Sequence, residues 1–268
     1  MQTALLGLLT VGTSVGVALL GMWLVRRRVV IASLEAHTEV AGFVYAVVGV
    51  VYSVLLAFVV VAVWQEHSDA LRDAEAEASA LIDLSRTAGA FSPDDAQRVR
   101  TALLIYADTA LDEGWTSLAA GSIQEPAAMS DAAEGLWQAY LLVTPEGARG
   151  SAVFGQSLSN IDTARDARRR MHGAAIGSLP PVLWAVLLVA GVLTVGFTFL
   201  FGVRSARAQA VMTTFLAATI GLELLLIVAL DNPFSGDAAL PPVPLRTARL
   251  RIVDDLRTPP PAPSVRPP

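Results

Sequence analysis

The feature that most constrains this chain is a stretch of about 25 residues, 40–64, that carries no charge. As an α-helix it would be roughly 37 Å long, which is enough to cross the hydrocarbon core of a bilayer. Two more segments, 3–25 and 182–203, are also uncharged, and a fourth, 208–230, carries a single carboxylate, Glu223. The sequence therefore predicts a multi-pass membrane protein with four transmembrane helices.

The composition agrees with a membrane location and excludes several classes of function. Hydrophobic residues make up 54% of the chain and charged residues 16%, and the mean hydropathy of +0.55 is too high for an ordinary soluble domain. The absence of cysteine excludes disulfides and thiolate sites, and three scattered histidines predict no metal site. The net charge of −5 gives no support for nucleic-acid binding, and no catalytic motif occurs. We therefore expect neither an enzyme nor a cofactor.

Charge and proline divide the chain into four regions. Residues 1–64 hold transmembrane helices 1 and 2, 65–178 a charged central domain, 179–231 transmembrane helices 3 and 4, and 232–268 a proline-rich tail. We expect the tail to be largely disordered because its proline-rich sequence lacks a sustained hydrophobic pattern. The expected fold class is an all-α membrane protein, with two pairs of transmembrane helices split by a central helical domain.

The central domain shows apolar residues at helical spacing and no convincing strand. Transmembrane helix 2 is expected to continue to about Arg86, and the next helix to begin at Ser92, a capping residue followed by proline and two acids. Ser130 is expected to cap a third helix, and a fourth is expected over about 148–172. Four amphipathic helices are therefore predicted.

Transmembrane helix 2 carries two parallel stripes whose members are four residues apart, so that each stripe lies on one helix face. The small stripe consists of Gly49, Ser53 and Ala57, and the apolar stripe of Val50, Val54 and Phe58. Small residues allow a neighbouring backbone, or a file of water and ions, to approach closely. Tight packing of membrane helices and the lining of a pore are both open interpretations.

Three polar side chains lie at or inside the membrane segments. Gln65 and Glu66 stand where helix 2 leaves the membrane, either as a solvated helix end or as the mouth of a symmetric pore, where a ring of Glu66 carboxylates favours cations. Glu223 lies inside helix 4, where an unpaired carboxylate is costly. It either locks two helices together by a hydrogen bond or forms an ion or proton site. Arginines near the membrane are divided evenly between its two sides and do not orient the central domain.

The order of motifs resembles the bestrophin-like domain family, a bacterial membrane family of uncharacterised function. The matching pieces are Gly42-Phe43-x-Tyr45, Gly49 to Phe58, Trp64, Glu75, Glu77, Tyr106, Glu113 near Trp115, Pro180 to Trp184 and Leu230 to Gly236. The family's usual Glu-Trp pair is interrupted here by Gly114.

A more distant similarity links the chain to bestrophins, which are pentameric anion channels. It rests on four spans divided by a helical domain, and on Leu55 to Phe58 followed by Trp64. The resemblance implies that Val50, Val54 and Phe58 form a narrow apolar neck, which gates by controlling wetting. It also implies a pentamer in the bacterial plasma (inner) membrane, with the central domain in the cytoplasm.

We therefore expect a homo-oligomeric, pentameric ion channel, with lipid bilayer and inorganic ions as partners. Transmembrane helix 2 would line the pore, with anions slightly favoured. Three other functions stay open. These are a cation channel, which Glu66 favours, a proton-coupled carrier that uses Glu223, and a non-conducting scaffold or sensor that recruits partners through the central domain and tail.

Overall fold

The computed structural model describes residues 2–28, 38–177, 179–201, 203 and 205–257, which contain helices and no strand. In chain order the helices are α1 (Gln2–Arg28), α2 (Thr38–Ala88), α3 (Pro93–Thr109), α4 (Trp115–Ala119), α5 (Ala127–Leu141), α6 (Gly147–Ala175), α7 (Pro181–Phe197), α8 (Ala206–Asp231) and α9 (Val243–Arg257). A π-helical turn, Ala110–Gly114, joins α3 to α4, and a 3₁₀ turn, Thr198–Leu200, follows α7.

The chain forms two compact units. The membrane unit comprises 1–67, 178–231 and 236–238, and the helical unit comprises 68–177, 232–235 and 239–268. In the described part of the chain, α1, α2, α7 with its 3₁₀ turn, and α8 are long and apolar enough to cross a membrane. Only 11–28% of the residues in their most apolar windows are buried, so these surfaces are open to lipid or to other chains. The expected fold class is confirmed.

The core of the membrane unit forms around one face of α2. Tyr52, Leu56, Val59 and Val63 recur at helical spacing, are at most 5% exposed, and pack with Leu187 of α7 and with Ile220 and Ile227 of α8. Gly191 of α7 permits this approach, because a Cβ there would lie 2.8 Å from the Tyr52 hydroxyl oxygen. One face of α2 is therefore buried against other helices of the same chain.

A partly buried polar network ties the ends of α1, α7 and α8 together. Arg26 Nη1 donates to the Val203 carbonyl at 3.0 Å and also to Gln209 Oε1. Gln209, only 3% exposed, donates in turn to the Thr198 carbonyl at 3.2 Å. The network satisfies backbone carbonyls that the helix end leaves without partners.

The helical unit begins within α2, which runs to Ala88, two residues beyond the expected end. Ser92 caps α3 as expected, since its hydroxyl accepts a hydrogen bond from the Asp95 N–H at 3.2 Å. The expected cap at Ser130 is wrong. The helix begins at Ala127, and the Pro126 carbonyl accepts the first helical bonds, from the N–H groups of Met129 and Ser130. Pro126 fits this position because its extended backbone, with ψ of 142°, needs no N–H of its own.

The expectation of a largely disordered tail is wrong for residues 243–257, which form α9. Leu245, Ala248 and Ile252 are completely buried and pack into the core of the helical unit, where α9 lies against α3. Arg100 of α3 donates to the Asp255 carbonyl at 3.0 Å and so fixes the end of α9. Residues 258–268, which belong to the same expectation, lie outside the described residues.

Candidate functional site: the outer face of α2 and a buried ion cluster

The apolar stripe of α2 lies on the face that its own chain leaves open. Val50 is 63% exposed, Val54 49% and Phe58 71%. Tyr52, on the buried face, is about 160° around the helix from Val50 and from Val54. The three stripe residues therefore make up a continuous exposed apolar surface, whose role as a pore neck stays a prediction.

The small stripe lies beside the apolar stripe, and other described helices leave it open as well. A Cβ at Gly49 would meet nothing within 4 Å, and Ser53 and Ala57 are exposed. The Ser53 hydroxyl donates to the Gly49 carbonyl at 2.9 Å, which makes it tolerable in an apolar setting. The small stripe therefore does not serve packing against the described helices of the same chain. It is available to another copy, to lipid or to water.

Gln65 and Glu66 follow the stripes at the end of the apolar part of α2, with Gln65 exposed and Glu66 half-buried. Next to them, the rings of Trp64 and His67 stack with centroids 6.3 Å apart. His67 Nε2 lies 3.0 Å from the Ala238 carbonyl oxygen, which anchors this end of the helix. The arrangement is compatible with both a pore mouth and a solvated helix end.

Glu223 of α8 lies away from the stripes. It is half-buried and close enough to the Tyr52 hydroxyl for an electrostatic interaction. The Tyr52 hydroxyl donates to the Leu187 carbonyl at 3.3 Å. Because Tyr52 lies on the buried face of α2, the structure brings Glu223 to the face opposite Val54. Glu223 and the apolar stripe are therefore not parts of one surface.

The helical unit contains a buried ion cluster that the sequence reasoning missed as a site. Glu77 of α2 is completely buried, and its Oε1 accepts a hydrogen bond from the Tyr106 hydroxyl at 2.7 Å. Arg168 of α6 is 4% exposed; its Nη1 lies 4.0 Å from Glu77 Oε2, and its Nε donates to Glu125 Oε1 at 2.9 Å. Glu77 and Tyr106 carry the family resemblance. Arg168, however, lies 91 residues after Glu77 and 43 residues after Glu125, in no recognisable motif.

A sequence signal for this cluster does exist. Glu77 stands on the same face of α2 as Ala74, Ala78 and Leu81, all of which are buried. A carboxylate on an apolar helix face needs a buried partner, and that requirement points to an arginine or a hydroxyl elsewhere in the domain. The partner itself can be identified only from the fold.

Burial sets the protonation of the cluster. Burial raises the pKa of Glu77, which Arg168 and the Tyr106 hydrogen bond lower only in part, while Glu125 adds to the rise. Burial also raises the pKa of Tyr106 well above its usual value. Burial alone would lower the pKa of Arg168. The neighbouring acidic groups, Glu77 most of all, outweigh burial, so the pKa is raised and the guanidinium stays charged. The cluster therefore holds a charged guanidinium beside a carboxyl whose ionisation is opposed by burial and favoured by Arg168.

Gly114 lets Arg168 occupy its place. A Cβ at position 114 would collide with Arg168 Nη2 and would lie 3.1 Å from Cζ. Gly114 ends the π-helical turn, a wider turn that can absorb one extra residue in a helix. The residue that interrupts the Glu-Trp pair is therefore accommodated by a bulge, and its missing side chain makes room for the guanidinium. In the described part of the chain no group of His, Cys, Asp or Glu could hold a metal ion.

Comparisons with known proteins give one family and one fold. A family model described as the bestrophin-like domain matches residues 12–245. The fold is similar to that of a bacterial bestrophin homologue from Klebsiella pneumoniae, crystallised with single mutations. One such structure has 13% identity, covers 91% of this chain and 98% of its own, and gives a TM-score of 0.67. Another, with 14% identity, covers 91% and 99% with a TM-score of 0.67.

A further structure, described only as a membrane protein, has 12% identity, covers 92% of this chain and 99% of its own, and gives a TM-score of 0.69. At these identities the similarity shows a shared fold and leaves the function to be argued from the site. No curated protein matches this chain in sequence.

Proposed function

This chain belongs to the bestrophin-like domain family, and we propose that it forms a homo-oligomeric ion channel in the bacterial plasma membrane. The observation that carries the proposal is the division of α2 into two faces. One face is buried in its own chain, whereas the face with Val50, Val54 and Phe58 is 49–71% exposed and has small residues beside it. Four helices enclose a conduit poorly, but a ring of α2 helices from several copies can enclose one.

The apolar stripe would form the neck of this pore. Rings of valine and phenylalanine side chains hold water weakly, so a small change in their spacing switches the neck between wet and dry states. The resemblance to bestrophins supports five copies in the ring, a slight preference for anions and a cytoplasmic central domain. Glu66 at the mouth favours cations and opposes this preference.

A proton-coupled carrier is a second candidate, favoured by one observation. Glu223 is half-buried beside Tyr52 within the membrane unit, on a face separate from the proposed pore. Such a carrier predicts pH-driven uptake without single-channel steps, and it predicts that Glu223→Gln abolishes the uptake. In a channel lined by α2, Glu223→Gln should not change how readily a water-soluble thiol reagent reaches cysteines placed on α2.

The absence of cysteine from the chain allows a direct test of the lining face. Single variants Val54→Cys and Phe58→Cys, in reconstituted vesicles, are exposed to a charged, water-soluble thiol reagent. We expect rapid modification at both positions because a pore brings water to them. The matched control is Val192→Cys on α7, whose side chain is 67% exposed but lies outside the proposed pore. Equal protection of all three thiols would show that the stripe faces lipid and would overturn the proposal.

A further inference from the structure

A cavity of about 320 Å³ lies between α5 and α6 of the helical unit. Its walls include Ser130 and Trp137 of α5, Arg165 and Arg168 of α6, and Tyr106 of α3. A water molecule occupies about 30 Å³ of liquid, so the cavity has room for a small organic molecule or ion. No residue of the apolar stripe or the small stripe of α2 lines it, and it plays no part in the proposed pore.

Arginine side chains are concentrated in the wall of this cavity. Residues 65–178 hold 9 arginines and 17 acidic residues, yet 3 of those arginines, Arg165, Arg168 and Arg169, line one cavity. The two acidic lining residues are already engaged. Glu125 accepts from Arg168 Nε at 2.9 Å, and Glu134 accepts from Gln138 Nε2 at 2.6 Å.

Two hydrogen-bond donors of Arg168 remain unused within the described residues. Arg168 Nη1 and Nη2 are buried and have no hydrogen-bond partner within the described residues. Arg165 is exposed and has neither a hydrogen bond nor an ion pair to any described residue. Arg169 is paired with Asp166. A buried guanidinium with unused N–H groups is costly unless acceptors reach it, and oxyanions supply acceptors in the geometry that arginine prefers.

We propose that this cavity binds a small oxyanion, a carboxylate or a phosphate, between Arg165 and Arg168. The ligand enters beside Glu125 and replaces or shares its hydrogen bond to Arg168. Arg165, which has no ion pair to a described residue, supplies a second guanidinium. Ser130 adds a hydroxyl donor, and the indole of Trp137 closes one wall. The site joins the buried ion cluster, since the same Arg168 lies 4.0 Å from Glu77.

The test is isothermal titration of the full chain in lipid nanodiscs with inorganic phosphate and, separately, with succinate. We expect saturable binding of at least one of the two, and the better ligand identifies the oxyanion. Arg165→Gln is expected to weaken binding by about tenfold, because it removes a charge-assisted contact from an exposed position without disturbing the core. Arg149→Gln is the matched control, since Arg149 is exposed on the same helix but outside the cavity.

Binding that Arg165→Gln weakens and Arg149→Gln leaves unchanged would support the site. Two results would overturn it: no saturable binding of either anion, or equal weakening by both variants, which would indicate general ionic attraction. A Trp137→Phe variant supplies a second readout, because the part of any change in tryptophan emission on anion binding that comes from Trp137 should disappear in it. The titration measures binding and no current, so its outcome is independent of whether the chain conducts ions.

Discussion

At the scale of single residues, Arg168 is held between two carboxylates, Glu77 inside the helical unit and Glu125 nearer its surface. Arg168→Leu would leave Glu77 buried without a cation. We expect a loss of about 3–5 kcal/mol in the free energy of unfolding, as for other broken buried ion pairs. Denaturant unfolding of the full chain in detergent, followed by circular dichroism, measures the loss.

The control for this loss is Arg170→Leu, which breaks an exposed pair with Asp73 and should change the free energy by less than about 1 kcal/mol. The double variant Glu77→Leu with Arg168→Leu should recover much of the stability, since it removes the buried charge as well as its partner. If Arg168→Leu cost no more than Arg170→Leu, the cluster would not be an energetic unit.

The raised pKa of Glu77 makes the helical unit sensitive to pH. Because burial holds this pKa above its unfolded value near 4.5, the unfolded chain releases the proton first as the pH rises. Stability attributable to Glu77 is therefore complete below the unfolded pKa and is lost as the pH rises through the folded pKa. The groups that face Glu77 are Arg168, Tyr106 and Glu125.

Glu77→Gln should flatten this part of the pH dependence, because the amide does not titrate. The measurement is the melting temperature of the wild type and of Glu77→Gln, in a series of buffers from pH 4 upwards at constant ionic strength. The sign is the decisive feature: the wild type should lose stability relative to the variant as the pH rises. A relative gain would show that Arg168 overcomes the effect of burial on Glu77.

At the scale of elements, α9 depends on burial of three side chains against the rest of the helical unit. Ile252→Ala should cost about 2–5 kcal/mol, the usual range for removing a fully buried aliphatic side chain. Leu250→Ala, two residues earlier and 64% exposed, is the matched control and should be close to neutral. Chemical denaturation of both variants checks the difference, and equal stability would show that α9 does not contribute to the core.

The elements differ in how far their sequence predicts them. The transmembrane helices follow directly from long apolar segments, because the bilayer leaves the backbone few alternatives. The sequence of α9 has Leu245, Ala248 and Ile252 at helical spacing. Prolines at both ends of this segment, however, favour an irregular tail over a helix in a prediction from sequence. Its stabilisation comes from packing on α3, which local sequence does not express. The start of α5 was misplaced because Pro126 and Ser130 both suit a helix start.

The candidate sites differ in the same way. The stripes of α2 are local and could be read from spacing alone, and the structure adds only which face is open. The ion cluster brings together Glu77, Tyr106, Glu125 and Arg168 from four separate parts of the chain. Such contacts depend on tertiary packing, so no single-sequence pattern could have paired them.

At the scale of the whole molecule, an apolar face of α2 and a row of small residues beside it are not covered by any other described part of the chain. A ring of copies would join these faces around a common axis, which is the usual closed arrangement of identical subunits. The channel proposal therefore depends on the assembly of several copies.

The most direct test is the reversal potential of the purified protein in a planar bilayer under a salt gradient. The account predicts a current whose reversal potential is displaced from zero towards the anion value, and whose size changes markedly in the Val54→Ala and Phe58→Ala double variant. A displacement towards the cation value would keep the pore and reverse its selectivity. If well-folded oligomers carried no current at any pH tested, with or without divalent ions, the channel proposal would be contradicted.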